Sequence, residues 1–181
     1  MKKTVLAMMV AGVSLMAGMS AANAASTTTV SGGTVQFQGQ VVDAACAVSS
    51  DSVDQVVTMG QARTARLSTV GEAAGQPEDF TIILEDCDST VSQNAAVMFN
   101  GQGDATLDGV LANTAGAGAA KNVALQLYGP DGNILAMGET SSKIILVDGE
   151  NIIPLSVDYI ATGEVTPGKV EATATFNMIY S

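Results

Sequence analysis

Two cysteines, Cys46 and Cys87, have the most definite chemistry in this chain of 181 residues. A pair of thiols can close a disulfide, remain free, or share a metal. A metal site would be short of ligands, because the chain has no histidine and two thiolates are too few. The absence of histidine also removes Ser-His and Cys-His nucleophile pairs and every imidazole ligand. Carboxylates are abundant, and Glu85, Asp86 and Asp88 crowd around Cys87. Such a group could attract calcium, but the loop spacing and central glycine of an EF-hand are missing. A solvated acidic turn is the expected reading, and Asp43, Asp51 and Asp54 read as surface charge. Glycoside hydrolysis needs two acids facing each other across a cleft, and the pattern shows no sign of one. The expectation is a protein that is not an enzyme, with no cofactor, no metal and no small-molecule substrate.

The start of the chain bears on which thiol state to expect. Lys2 and Lys3 precede an apolar stretch, Val5 to Val13, that runs on in small and apolar residues to Ala22. Ala22-Asn23-Ala24 is a small-x-small cleavage site. This is the layout of a secretory signal peptide, and the run is short and wrongly flanked for a membrane anchor. Cleavage between Ala24 and Ala25 is expected. Exported compartments are oxidising, so the reading that follows is a Cys46–Cys87 disulfide. Closing a loop of about 40 residues is worth about 4 kcal/mol in the chain-entropy model. Removing the leader also removes two of seven basic residues, leaving five against 18 acidic ones, a net charge of −13. That surface disfavours nucleic acid and anionic membranes.

The elements that would position these residues are strands. Phe80, Ile82 and Leu84 alternate with Thr81, Ile83 and Glu85; Val123, Leu125 and Leu127 alternate with Ala124, Gln126 and Tyr128. Ile153 to Ile160 alternates likewise, and Ala95 to Phe99 and Lys143 to Val147 are short apolar runs. The clearest face is the last: Val170, Ala172, Ala174, Phe176, Met178 and Tyr180. A period of two means half-buried strands. Asp131-Gly132 and Asp148-Gly149 read as hairpin turns, and Thr166-Pro167-Gly168 as a turn before the last strand. Residues 101–120 and 68–79 read as surface loops. Many short strands at this spacing predict an all-β, immunoglobulin-like sandwich. The domain organisation expected is 1–24 signal peptide, 25–42 N-terminal extension and 43–181 domain.

One segment does not fit a closed domain. Gly33, Val35, Phe37, Gly39 and Val41 alternate with Thr34, Gln36, Gln38 and Gln40, after a Ser, Thr and Gly-rich tail. At the other end the last strand runs to Ser181, with nothing following to pair with it. An apolar strand left at a sheet edge is a liability. The early strand could fold back on its own domain as an ordinary first strand. It could instead pair with the last strand of a neighbouring copy, a head-to-tail contact that builds filaments.

The run from Gly32 through Phe37 and Cys46 to Val48 resembles the amino end of the major subunit of type 1 fimbriae, in the chaperone–usher pilus family of Gram-negative bacteria. Ser52 to Ala65, Leu84-Glu85-Asp86-Cys87-Asp88 and Ala161-Thr162-Gly163 continue the similarity. So does Thr166-Pro167-Gly168 on the approach to the last strand, and Gly168 and the penultimate Tyr180 match the family's carboxy-terminal motif. The similarity spans essentially the whole chain after the leader and is weakest in residues 101–120. It implies an incomplete immunoglobulin-like pilin sandwich lacking its last strand, completed by donor-strand complementation. Gly33, Val35, Phe37, Gly39 and Val41 would be the donor strand. Val170, Ala172, Ala174, Phe176, Met178 and Tyr180 would line the acceptor groove. The implied function is a subunit that polymerises by donor-strand exchange into the rod of a fimbria used in bacterial adhesion. A minor adaptor or tip-associated subunit with a binding role is the alternative. Implied partners are identical or homologous fimbrial subunits, a periplasmic chaperone and an outer-membrane usher. The implied route runs through the periplasm to the cell surface.

Overall fold

The computed structural model describes residues 29–181. The proposed leader, the Ala24–Ala25 cleavage site and the start of the extension lie outside the described residues. The chain divides into two units, Met1–Gly39 and Gln40–Ser181. In the first, residues 29–39 are exposed and carry neither helix nor strand. The strand pattern of 33–41 is therefore not expressed as a strand here. A strand exists through its backbone partners, and these residues have none.

The second unit is all-β, with one short 3₁₀ turn, Thr64–Arg66. Nine strands follow in order: β1 Ala47–Val48, β2 Glu78–Cys87, β3 Asn94–Gly101, β4 Leu111–Ala112, β5 Lys121–Tyr128, β6 Ile134–Leu135, β7 Ile144–Ile145, β8 Gly149–Thr166 and β9 Ala174–Tyr180. One sheet has the order β1-β2-β8-β5-β4, with β6 also on β5; the other has the order β7-β3-β9. Every strand pairing is antiparallel.

The core lies between the inward faces of the sheets, expected from alternation in β2, β5 and β8 and from the apolar run Ala95 to Phe99 in β3. Ile82 and Leu84 of β2, Val97 and Phe99 of β3, Leu127 of β5, and Ile153, Leu155 and Val157 of β8 form it, with Cys46 and Cys87 at its side. Phe99 makes edge-on and tilted ring contacts with Phe80 and Phe176 at centroid distances of 6.2 and 6.1 Å, the arrangement aromatic quadrupoles favour. Beyond Val157 the alternation in β8 gives way to burial of Asp158, Ile160, Ala161 and Thr162. Both faces are covered there, because the two long loops pack down.

Those loops correct the sequence reading. Residues 101–120 do not simply lie on the surface: Val110 and Leu111 are buried, and Val110 packs on the outer face of the sheet with Ala124 and Ile160. Asp104 holds the turn, its carboxylate accepting the Thr106 and Leu107 N–H groups. Residues 68–79 run beside β8, with Ala74 N–H donating to Tyr159 O and Asp158 Oδ2 accepting from Gln76 N–H. Asp131-Gly132 is the predicted hairpin turn, between β5 and β6. Asp148-Gly149 is not a hairpin: β7 and β8 belong to different sheets, so the turn carries the chain from one layer to the other. Lys143–Val147 yields only the two-residue β7.

Candidate functional site

The site is an open lane along one side of the sandwich, and its geometry starts at β9. Ser181 exchanges both backbone bonds with Asn94, at 2.9 and 3.0 Å. Ala95 to Gly101 pair in register with Tyr180 to Ala174. In an antiparallel ladder alternate residues turn their N–H and C=O toward the same neighbour. Odd residues of β9 therefore face β3.

The stretch before β9 keeps this parity with a different partner. Lys169 N–H donates to Gly118 O, Lys169 O accepts from Ala120 N–H, and Glu171 O accepts from Thr114 N–H. Asn113 clamps the same stretch: its Nδ2 donates to Lys169 O and to Ala120 O, and its Oδ1 accepts from Glu171 N–H, all within 3.0 Å. The backbone groups of Val170, Ala172, Ala174, Phe176, Met178 and Tyr180 thus face the opposite edge. Among the described residues, no backbone hydrogen bond covers them there.

The side chains of the same six residues turn inward. All are half-buried and pack on the main core, while their odd-numbered neighbours from Glu171 to Asn177 are exposed. An apolar row that reaches the core yet stays partly open has the character that the wall of a groove needs. Gly168 sets where this wall begins. A Cβ there would lie 2.3 Å from Ala120 N and 2.5 Å from Ala119 C, so the strand can approach the 113–120 loop only as glycine.

The opposite rim went unnoticed in the sequence. After β1 the chain turns at Ser49–Ser52, where Ser52 Oγ accepts Ile83 N–H at 2.8 Å. Residues 53–62 then leave β2 without making a backbone–backbone bond. Val57 and Met59 are half-buried against the core while Val56, Thr58 and Gly60 are exposed, so this segment alternates like a strand. The 170–180 row meets residues 53–62 at one end only, at Ala62 and Val170, and at its other end it meets Cys46, ahead of β1. At the Cys46 end Tyr180 Oη donates to Cys46 O at 3.4 Å. At the other, Ala62 and Val170 join one small cluster with Leu67, Ala74, Ala120, Val123 and Ala161. The Val-x-Met alternation was readable, but nothing in it distinguishes an unpaired strand from loop.

Cys46 and Cys87 are joined, with Cα atoms 4.1 Å apart. The bond fastens β1 to the far end of β2, and Asp88 N–H donates to Ala45 O beside it. Glu85, Asp86 and Asp88 are exposed, as are Asp43, Asp51 and Asp54. Asp88 is engaged in its own turn, its carboxylate accepting from Thr90 Oγ1 and Thr90 N–H, which hold its pKa below the ordinary value. Among the described residues no group of three or more acids or cysteines is placed to hold a metal. Burial pushes the Tyr180 hydroxyl upward, so it is a neutral donor to Cys46 O at physiological pH.

The supposed donor residues show the complementary property. Val35 is 74 %, Phe37 89 % and Val41 99 % exposed among the described residues.

Comparison with known proteins follows this geometry closely. The family model described as "Fimbrial protein" matches residues 35–181. The chain is 46 % identical over 162 residues to the type-1 fimbrial protein C chain of Escherichia coli, covering 88 % of this chain and 89 % of that one. A solved chaperone–usher pilus chain, from work on rod uncoiling, superposes with a TM-score of 0.70 at 29 % identity, covering 87 % of this chain and all of that one. The crystal structure of the P pilus rod subunit PapA superposes with a TM-score of 0.64 at 25 % identity, covering 76 % and 100 %.

Proposed function

This chain belongs to the fimbrial protein family, and on that premise we propose that it is the repeating rod subunit of a chaperone–usher pilus, assembled by strand donation from copy to copy. The observation that carries the reading is the open backbone edge of residues 170–180, with residues 53–62, which also make no backbone–backbone bond, meeting it at Ala62 and Val170. A strand laid between them would bond to both and become central rather than peripheral. Residues 33–41 have the needed pattern, with Val35, Phe37 and Val41 on one face. Gly33 and Gly39 share that face, and Gly39 would sit where the groove leaves no room for a side chain.

In this reading residues 1–24 direct export and are removed between Ala24 and Ala25. The 25–42 extension donates, and the domain from residue 43 accepts. A periplasmic chaperone covers the open edge until an outer-membrane usher passes the subunit to the growing end. The fibre serves bacterial adhesion at the cell surface, and the subunit itself catalyses nothing. The rod role draws on likeness to a rod subunit.

Deleting residues 25–40 from the mature chain tests this. The truncated subunit should still be captured by its chaperone and accept a donor, but it should end rod growth. Rods of normal length by electron microscopy would refute donation by this segment.

A further inference from the structure

The charge on the described chain is unevenly placed. Residues 29–181 contain five basic side chains: Arg63, Arg66, Lys121, Lys143 and Lys169. Four of them frame one end of the open lane. Ala62 and Leu67, which flank Arg63 and Arg66, pack in the same cluster as Ala120. Ala120 lies next to Lys121 and bonds Lys169. All four basic residues are exposed. Glu72, Glu164 and Glu171 are nearby, so this end is close to neutral with a basic excess, on a chain that is otherwise strongly acidic.

The other end, around the disulfide, is acidic. Cys87 pairs with Gly149. Glu85, Asp86, Asp88, Asp148 and Glu150 therefore gather there, all exposed. Lys143 is the basic residue at that end, donating to Ser181 Oγ. The extension also joins the domain here, just before Cys46. Wherever a donated strand leaves a groove, the donor's acidic end must follow.

Resting on the polymer reading above, we infer that the acidic end of one copy docks against the basic end of the next, a second subunit–subunit surface beyond the donated strand. The alternative direction of donation would bring the extension out beside Tyr180. That would press acidic end on acidic end. Leaving beside Val170 brings Glu85, Asp86, Asp88, Asp148 and Glu150 toward Arg63, Arg66, Lys121 and Lys169. Complementary charge of this kind acts mainly on orientation and encounter rate, and salt screens it.

The test uses chaperone-held mature chains, with an acceptor lacking residues 25–40 so that it can only accept. The initial rate of donor–acceptor pairing is read at low and high salt. Glu85→Lys with Glu150→Lys in the donor, or Arg63→Glu with Lys169→Glu in the acceptor, should each slow pairing about tenfold at ~20 mM salt. At ~0.5 M salt the difference should shrink to less than about threefold. None of these four side chains makes a hydrogen bond that the fold depends on. Combining the two reversed partners should restore the rate. Unchanged rates and salt response, or slow variants that fail to rescue each other, overturn the inference. A free peptide of residues 29–42 has no acidic end and should bind every acceptor equally. If it binds none, the donation reading fails and this surface falls with it; if it binds while the reversals are silent, only this surface falls.

Discussion

Phe37 offers the sharpest measure of strand donation. Among the described residues Phe37 is 89 % exposed, so under strand donation nearly all of its burial would come from the neighbour. An aromatic side chain buries on the order of 150 Å² or more. At about 25 cal/mol per Å², and allowing for what alanine keeps, Phe37→Ala should cost roughly 3 kcal/mol of docking. That is about 150-fold in affinity, taking 1.4 kcal/mol per factor of ten. The assay is displacement of a labelled 29–42 peptide from the chain lacking residues 25–40. Gln36, on the opposite face, supplies the control, and Gln36→Ala should change affinity less than about threefold because surface substitutions cost within ~0.5 kcal/mol. Equal losses at both positions would refute the face assignment. A loss below about threefold at Phe37 would refute docking of that face in an apolar groove.

Three further outcomes follow from the same geometry. Gly168→Ala puts a methyl against the backbone of Ala119 and Ala120; overpacking of this kind costs about 1–3 kcal/mol, and the thermal midpoint of the peptide-filled domain should fall by several degrees, whereas an unchanged midpoint would mean the contact relaxes freely. Asn113→Ala removes the clamp on Lys169 and Glu171; about 1–3 kcal/mol should be lost in urea unfolding, with faster hydrogen exchange at Glu171 N–H as the local signature. Asp148 accepts from Ser89 Oγ and Ser89 N–H, and these bonds hold its carboxyl below the ordinary 3.8. A depressed folded pKa gives stability that is present above the unfolded value and lost as pH falls through the folded one. Wild-type stability should therefore drop below about pH 4, and Asp148→Asn should flatten that part of the urea-midpoint profile; an identical acid slope would remove Asp148 from the account.

Strand faces were legible because they depend on a period of two and on nothing distant. Ile82 and Leu84, and Ile153, Leu155 and Val157, turn inward as their alternation requires, while the apolar run Ala95–Phe99 is buried at Ala95, Ala96, Val97 and Phe99. The disulfide followed from compartment and count. What the pattern could not carry was pairing. Asp148-Gly149 has the composition of a hairpin turn, yet whether two strands share a sheet is a tertiary matter. Residues 113–120 are polar and glycine-rich, like any loop, but they bond Lys169 and Glu171 because Gly168 lets the backbones approach. Residues 53–62 alternate weakly and make no backbone–backbone bond, only Gly60 O accepting from Tyr159 Oη, so no local signal marks them as a rim.

The unpaired rims bear on how a donated strand finds its register. A strand added at an ordinary edge bonds on one side only, and slippage by two residues keeps its faces. Here the inserted strand would alternate its backbone bonds between residues 170–180 and residues 53–62, so a slip disturbs both ladders together. A slip of one residue turns Val35, Phe37 and Val41 outward and brings the glutamines between them against the core, forfeiting the apolar burial that drives docking. A slip of two keeps the face but moves Phe37 to the place of Gly39, where bulk replaces a missing side chain. Parity thus excludes odd registers, and side-chain size along the inward face excludes even ones. The groove need not recognise any polar group on the donor to be selective. Five alternating positions of graded size, laid against six half-buried residues of fixed parity, would be enough to favour one alignment.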